Sequence, residues 1–370
     1  MGGTGSDRGA MRAVLIRGPG QASVEQVPKP APGPGELLIK VKACGLCGTD
    51  VHLYRGVYLG SYPLTPGHEA SGVVEQVGQG VSGFAPGDRV ALEPNISCGS
   101  CRFCLTNQQN FCMRWSAVGV TRPGALAEYV VAPAANCFPL GALSFEEAAF
   151  MEPLSCILHG LEQVTVAPGD HVLVLGAGPI GLLLLQVAKA LGAAAITVVE
   201  RTTRRREMAF AMGADTYPTV SPELRDAAAA DSFDLVIDAT GDPALVQTAI
   251  DLARKGGRVL LFGVPPANSS STIQPFQIFR KGLHLVSSYT SRRNSIAALR
   301  LLQSGRIRVS ELVTHRFALE QFVDGVNLLD NPESVLKVMF VPDPTPEADA
   351  NPVHAHPIPS NTGPVGQRKP

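Results

Sequence analysis

Cys98, Cys101, Cys104 and Cys112 fall within fifteen residues and make up half of the eight cysteines in a chain of 370 residues. Short Cys-x-x-Cys steps on a turn can aim several thiolates at one ion, so this spacing predicts a tetrahedral zinc site. Disulfides are the poorer reading, because adjacent pairs of this kind rarely meet disulfide geometry and a long chain has little need of staples. Four thiolates close the coordination shell, so such an ion holds a loop and does no chemistry. A second set of residues offers an open shell. Cys47, in Gly45-Leu-Cys47-Gly-Thr49-Asp50-Val-His52, joins His68 and Glu69, in Gly67-His68-Glu69, to supply a thiolate, an imidazole and a carboxylate on glycine-flanked turns. Glu152, in Met151-Glu-Pro153-Leu-Ser155, adds a further oxygen ligand. Three protein ligands and a water make a catalytic zinc. Cys44 completes a Cys-x-x-Cys with Cys47 but lacks a redox-type context and reads as strand packing.

The second half carries a nucleotide motif. Gly176-Ala-Gly178-Pro-Ile180-Gly181 follows a strand pattern and opens a helix pattern. Its glycines allow a tight turn, close backbone approach to a pyrophosphate, and packing of helix on sheet. Glu200 falls 19 residues past Gly181, at the end of the next strand, where a carboxylate accepts hydrogen bonds from ribose hydroxyls. That favours NAD over NADP, whose 2′-phosphate it would repel. Arg201, Arg204, Arg205 and Arg206 press the other way, although at least two of them read as a solvated helix face.

These residues need elements to hold them. From Met11 to about Ala149, β-rich runs such as Glu36 to Val41, Ala70 to Val77 and Arg89 to Leu92 alternate with Pro-Gly and Gly-Asp turns, which predicts an antiparallel or barrel-like β domain. From about Gly160 the pattern becomes strand (His171 to Leu175), helix (Gly178 to Leu191), strand (Ala195 to Glu200), helix (Arg204 to Met212) and strand (Leu235 to Asp238), which predicts a parallel sheet. The apolar run His171 to Leu191 is broken by Gly176, Gly178, Pro179 and Gly181, so it is no membrane span. With 45% hydrophobic and 17% charged residues the chain has ample apolar surface to bury, and a net charge of -1 gives no attraction to nucleic acid or an anionic membrane. No secretory signal is evident, so the thiols are expected in the reducing cytoplasm. Residues 1–10 read as a flexible leader, despite a formal myristoylation match at Gly2 and Ser6. Residues 341–370, with eight prolines and no periodicity, read as a disordered tail.

Together these motifs resemble the zinc-dependent medium-chain alcohol dehydrogenase superfamily over Met11 to Phe340, and within it the sorbitol or polyol dehydrogenases. The resemblance is carried by Cys47-Gly-Thr-Asp-Val-His52, Gly67-His-Glu-Ala-Ser-Gly72, Glu152-Pro-Leu-Ser155 and Leu312-Val-Thr-His-Arg-Phe317. It implies an α/β chain: a GroES-like catalytic domain (11–157), a Rossmann domain with a doubly wound parallel sheet (158–295), and a C-terminal return to the catalytic domain (296–340). It further implies Cys47, His68 and Glu69 as catalytic zinc ligands, with Glu152 as a zinc-site or substrate carboxylate. The NAD site would be lined by Gly176, Gly178, Gly181, Ile180, Glu200, Arg205, Phe262, Gly263, Val264, Val286, Ser287 and Ser288. Two zinc ions per subunit, NAD, a small alcohol or polyol substrate and a homodimer or homotetramer complete the expectation.

The family's substrate tyrosine is Leu53 here, with Tyr54 one place later, and the arginine before Tyr289 is Ser288. Tyr54, Glu152 and Tyr289 are therefore the expected substrate contacts, and the lost donors, each worth about 0.5 to 3 kcal/mol, weaken the case for a long hexitol. Bound at Cys47, His68 and Glu69, zinc would lower the pKa of the alcohol and the nicotinamide would accept the hydride, while Thr49 and His52 would lead the proton to solvent. The expected reaction is NAD-dependent oxidation of a secondary hydroxyl in a polyol. Alternatives are 2,3-butanediol or L-threonine as substrate, or a non-catalytic or quinone-reducing relative, against which the intact Cys47, His68 and Glu69 set argues.

Overall fold

The computed structural model describes residues 9–57, 60–215, 232–331 and 333–342. The chain opens with a hairpin of β1 (Ala10–Gly18) and β2 (Gln21–Pro28). A seven-stranded sheet follows, built mainly from β3 (Glu36–Gly45), β4 (Glu69–Val77), β5 (Arg89–Leu92), β8 (Tyr129–Pro133) and β9 (Cys137–Pro139). Its remaining strands, β15 (Val313–Phe317) and β16 (Lys337–Phe340), arrive from the far end of the chain, and β16 lies antiparallel to β3 with Phe340 opposite Cys44. Two short strands, β6 (Asn95–Ile96) and β7 (Ser116–Ala117), pair at the base of a cysteine-bearing lobe. The lobe contains helix α2 (Arg102–Leu105), and α1 (Gly48–Arg55) fills the connection between β3 and β4. The β-rich expectation for this half holds, and the sheet strands bury Leu37, Ile39, Val41, Val74, Val90 and Phe340 in one core.

The second sheet is parallel: β10 (His171–Leu175), β11 (Ala195–Val199), β12 (Phe233–Asp238), β13 (Ala253–Leu261) and β14 (His284–Ser287), in the order β11-β10-β12-β13-β14. Successive residues go to opposite faces. Val172, Val174, Leu235 and Ile237 join a core with α4 (Met151–Val164) and α5 (Pro179–Ala190), whereas Leu173, Leu175 and Val236 join another with α7 (Leu245–Leu252). Burial on both faces explains why these strands read as continuous apolar runs, as a doubly wound sheet requires. The order switches direction between β10 and β12, the place where such sheets bind ligands at their carboxyl ends. Helices α6 (Thr203–Ala211), α8 (Pro275–Lys281), α9 (Ser295–Gln303) and α10 (Phe322–Leu328) complete the named elements, with α3 (Phe145–Ala149) just before α4.

Three expected boundaries shift. The one at 157 falls inside α4, because Leu154, Ile157, Leu161 and Val164 keep one buried stripe running and the helix stops only at Thr165. Ala10 pairs with Pro28 and so belongs to β1 and not to the expected leader; residues 1–8 of that expectation lie outside the described residues. Val341 and Pro342 of the expected tail are tied to the fold, Val341 N–H donating to the Phe317 carbonyl and Arg12 Nη2 to that of Pro342; residues 343–370 lie outside the described residues. Among the described residues, no helix is long and apolar enough to cross a membrane.

Candidate active site

Cys47 is the N-cap of α1, and His68 and Glu69 stand at the entry to β4. One ligand atom from each lies within 4.8 Å of the others, a spacing that fits a shared metal ion. Asp50 brings the two turns together. Fully buried, its carboxylate accepts the Cys47 amide at 2.9 Å and the Gly67 amide at 2.9 Å, and its Oδ1 lies 3.5 Å from His68 Nδ1. A carboxylate behind a histidine fixes the ring and favours its use as a metal ligand through the other nitrogen. Burial alone would lower the His68 pKa, but Asp50 and Cys47 outweigh it and raise it well above the usual value. Gly67 must be glycine: its φ is 96°, and a Cβ would meet the Leu126 amide nitrogen at 2.6 Å.

Glu69, 2% exposed, forms an ion pair with Lys337 of β16, which is 7% exposed. Two buried opposite charges satisfy each other and leave the second oxygen of Glu69 for a metal. Glu152, in the first turn of α4, is not one of the three clustered ligands. Its Oε1 accepts the Cys156 thiol at 3.4 Å. Burial raises its pKa to about 7, with the carboxylates of Glu69 and Glu93 adding to the rise and His68 opposing it. Helix α4 therefore starts beside the metal cluster. Further along, a Cβ on Gly160 would meet the Phe262 ring at 2.8 Å, so the same helix reaches the expected cofactor wall. Thr49 and His52 are half-buried and three residues apart on α1, hence on one face.

The four-cysteine cluster has different geometry. Sγ separations are 3.9 Å for Cys98 and Cys104, 3.6 Å for Cys101 and Cys104, and 3.9 Å for Cys101 and Cys112. A tetrahedron with metal–sulfur bonds near 2.3 Å has edges of about 3.8 Å, so the donors fit a zinc ion. All eight cysteines are free thiols. Amides of Cys98 and Arg114 donate to Cys112 Sγ, each at 3.3 Å. The Ser100 amide leads in bringing the Cys98 pKa down to about 5, while burial pushes Cys104 up to about 11. Four sulfurs at this spacing offer a closed tetrahedral donor set for one cation.

At the dinucleotide motif, Gly178 caps α5 and Pro179 is its first residue. A Cβ on Gly181 would overlap the Gly176 carbonyl. Glu200 is 7% exposed, and its carboxylate accepts the amides of Ala177 (2.9 Å), Arg201 (2.7 Å) and Thr202 (2.9 Å), which locks it against the glycine loop. Arg205 reaches the same loop. Its Nη2 donates to the Val335 carbonyl at 2.8 Å, its Nε is buried without a partner, and burial lowers its pKa. Arg206 donates to the backbone of Glu200 and Arg201. Ile180 is half-buried at the start of α5, and Phe262 and Gly263 follow β13, their amides donating to the Asp238 carbonyl at 2.9 and 2.8 Å. Val264 is 66% exposed, Val286 and Ser287 end β14, and Ser288 Oγ lies 3.3 Å from His159 Nδ1.

Tyr54 does not join the metal cluster. Its hydroxyl donates to the Gly20 carbonyl at 3.1 Å and its ring meets Phe322 edge-on at 5.8 Å, because the helical phase of α1 turns it toward the first hairpin and α10. Leu53 is fully buried in the β core. Tyr289 packs on the cysteine lobe, stacked on Phe111 at 6.1 Å and 6.5 Å from Trp115. Asp50, Lys337 and Glu93 were not singled out from sequence. Only Asp50 carried a signal, lying between Cys47 and His52 in the motif itself.

Residues 33–142 match the alcohol dehydrogenase GroES-like domain and residues 179–304 match the zinc-binding dehydrogenase model. The chain is 33% identical over 343 residues to D-arabinitol dehydrogenase 1 of Uromyces fabae, covering 90% of this chain and 97% of that protein. It is 34% identical over 335 residues to D-altritol 5-dehydrogenase of Agrobacterium fabrum, covering 89% and 99%. A structure described as a zinc-binding dehydrogenase from Sinorhizobium meliloti 1021, bound to NADP, superposes with a TM-score of 0.85 at 35% identity, covering 90% of this chain and 99% of that one.

Proposed function

The chain belongs to the zinc-dependent alcohol dehydrogenase family, and from that premise we propose that it oxidises a secondary hydroxyl of a short polyol, with NAD as the hydride acceptor. It is a zinc- and nicotinamide-dependent oxidoreductase. The observation that carries the reading is the three-donor cluster of Cys47, His68 and Glu69, joined by α4 to the wall of a dinucleotide fold. When bound there, zinc supplies Lewis acidity to a substrate hydroxyl and the nicotinamide supplies the hydride acceptor. The chain's own residues do the rest. Asp50 and Lys337 hold the ligands in place. Glu152, with a pKa of about 7, exchanges a proton near neutrality beside the cluster. Thr49 and His52, on one face of α1, lead that proton outward.

The carboxylate of Glu200 favours NAD, since a 2′-phosphate would meet its charge. Leu53 is committed to the core and Ser288 to His159, so two donors that would grip a long hexitol are missing, and Tyr289 and Glu152 remain as substrate contacts. Self-association as a homodimer or homotetramer is supported by β14, which is an edge strand of the described sheet, and by the exposure of nearby Phe276 (69%) and Phe279 (80%). The eight free thiols are in keeping with the cytoplasm. The test is kcat/KM, followed by NADH absorbance, for sorbitol, xylitol, a tetritol, 2,3-butanediol and L-threonine. Short polyols should match or exceed sorbitol. Sorbitol preferred by about tenfold or more would overturn the short-polyol assignment, and turnover of L-threonine alone would overturn the polyol reading.

A further inference from the structure

Glu93 directly follows β5, 8% exposed, and its carboxylate accepts from neutral donors alone among the described residues. Its Oε1 accepts the Asn95 amide at 3.0 Å and Asn95 Nδ2 at 2.7 Å. Its Oε2 accepts the hydroxyls of Ser291 at 2.9 Å and Ser295 at 2.8 Å, with that of Ser155 at 3.4 Å. One carboxylate thus ties the strand entering the cysteine lobe to α4 and to the segment that returns from β14 to α9.

That returning segment needs holding. Thr290 and Arg293 have φ of 51° and 56°, in the left-handed region that residues with a Cβ occupy only where the surroundings fix them. Ser291 and Ser295 bracket Arg293, so the two short hydroxyl contacts clamp the turn on both sides. Tyr289 stands immediately before it. The Tyr289 carbonyl accepts Asn110 Nδ2 at 3.2 Å, and its ring is flanked by Phe111 and Trp115. Trp115 Nε1 in turn donates to Asn95 Oδ1 at 3.0 Å, which closes the path back to Glu93.

We propose that Glu93 is a positioning residue that fixes the Tyr289 ring where it meets the substrate, so that the clamp governs polyol binding and not hydride transfer. This rests on Tyr289 as a substrate contact. Removing the clamp while keeping Glu93, by Ser291→Ala with Ser295→Ala, should raise KM for xylitol by about fivefold or more, with kcat and KM for NAD held within about twofold. The same pair of changes made in a Tyr289→Phe background should add less than about twofold, because the two sites act as one unit. Trp115 is the single tryptophan, so its emission should shift to the red in the serine variant without any turnover. Glu93→Gln provides a second probe: its amide can accept from Asn95 and donate to the serines, so it should reverse most of the rise in xylitol KM expected of Glu93→Ala. Additive effects of the serine and tyrosine changes would overturn the positioning role while leaving Tyr289 as a contact. An unchanged xylitol KM in Tyr289→Phe alone would overturn both. Equal impairment of Glu93→Gln and Glu93→Ala with wild-type Trp115 emission would also overturn the clamp.

Discussion

The two metal clusters are assembled in opposite ways. Cys98, Cys101, Cys104 and Cys112 come from one short lobe, and their Sγ atoms already sit at tetrahedral spacing with local amides turned toward them. Cys47, His68 and Glu69 come from two turns at the paired ends of β3 and β4 that Asp50 cross-links, and Glu69 is held by a lysine from the last strand. A closed site can be local because its task is to stabilise the lobe that carries it. An open site keeps a coordination position for substrate, so its rigidity has to come from the surrounding fold.

The contrast can be broken most sharply at the thiolates. Cys47→Ser should lower kcat by about a thousandfold, roughly 4 kcal/mol of barrier, while the chain stays folded and still binds NADH. Retention of more than about a tenth of the activity would place the chemistry elsewhere. Cys101→Ser should act on stability instead, with a loss of about 3 kcal/mol or more in denaturant unfolding, because structural zinc contributes folding energy directly. A fully stable Cys101→Ser protein that lost only turnover would erase the division between the clusters.

Two further variants sharpen it. Lys337→Met leaves the buried Glu69 carboxylate without its cation and should cost about 3 kcal/mol of unfolding free energy, with Lys337→Arg recovering most of it. Wild-type stability in Lys337→Met would show that the open site does not depend on the distant strand. The smallest expected change is in cofactor choice: Glu200→Ala should narrow the NAD over NADP preference in kcat/KM by roughly tenfold, since Arg201 and Arg205 remain to receive a phosphate. An unmodified enzyme that used NADP better than NAD would reverse the reading of Glu200.

Much of this was legible in the sequence, for a physical reason. Cysteine spacing, the glycine turn before α5 and the acidic residue after β11 are local signals, and the structure gathers the cysteines in one lobe, caps α5 with Gly178 and places Glu200 just past the strand expected to contain it. Helix α1 shows the limit. A motif places Cys47 and His52, but which way Tyr54 points depends on the phase of the last turn and on Phe322, which is far along the chain. Glu93 and Lys337 were invisible for a related reason. Ser291 stands 198 residues from Glu93, and the lysine paired with Glu69 stands on the last described strand. No window on the sequence joins such partners, and only the closing of the sheet by β16 and the return through α9 brings them together.

Zinc content per folded chain, measured by elemental analysis on the wild type and on Cys47→Ser, tests the central claim most directly. About two zinc ions are expected in the wild type and about one in a folded, inactive Cys47→Ser protein, the remaining ion being that of the four cysteines. A Cys47→Ser protein that kept both ions and its turnover, or a fully active wild type with a single ion, would contradict it.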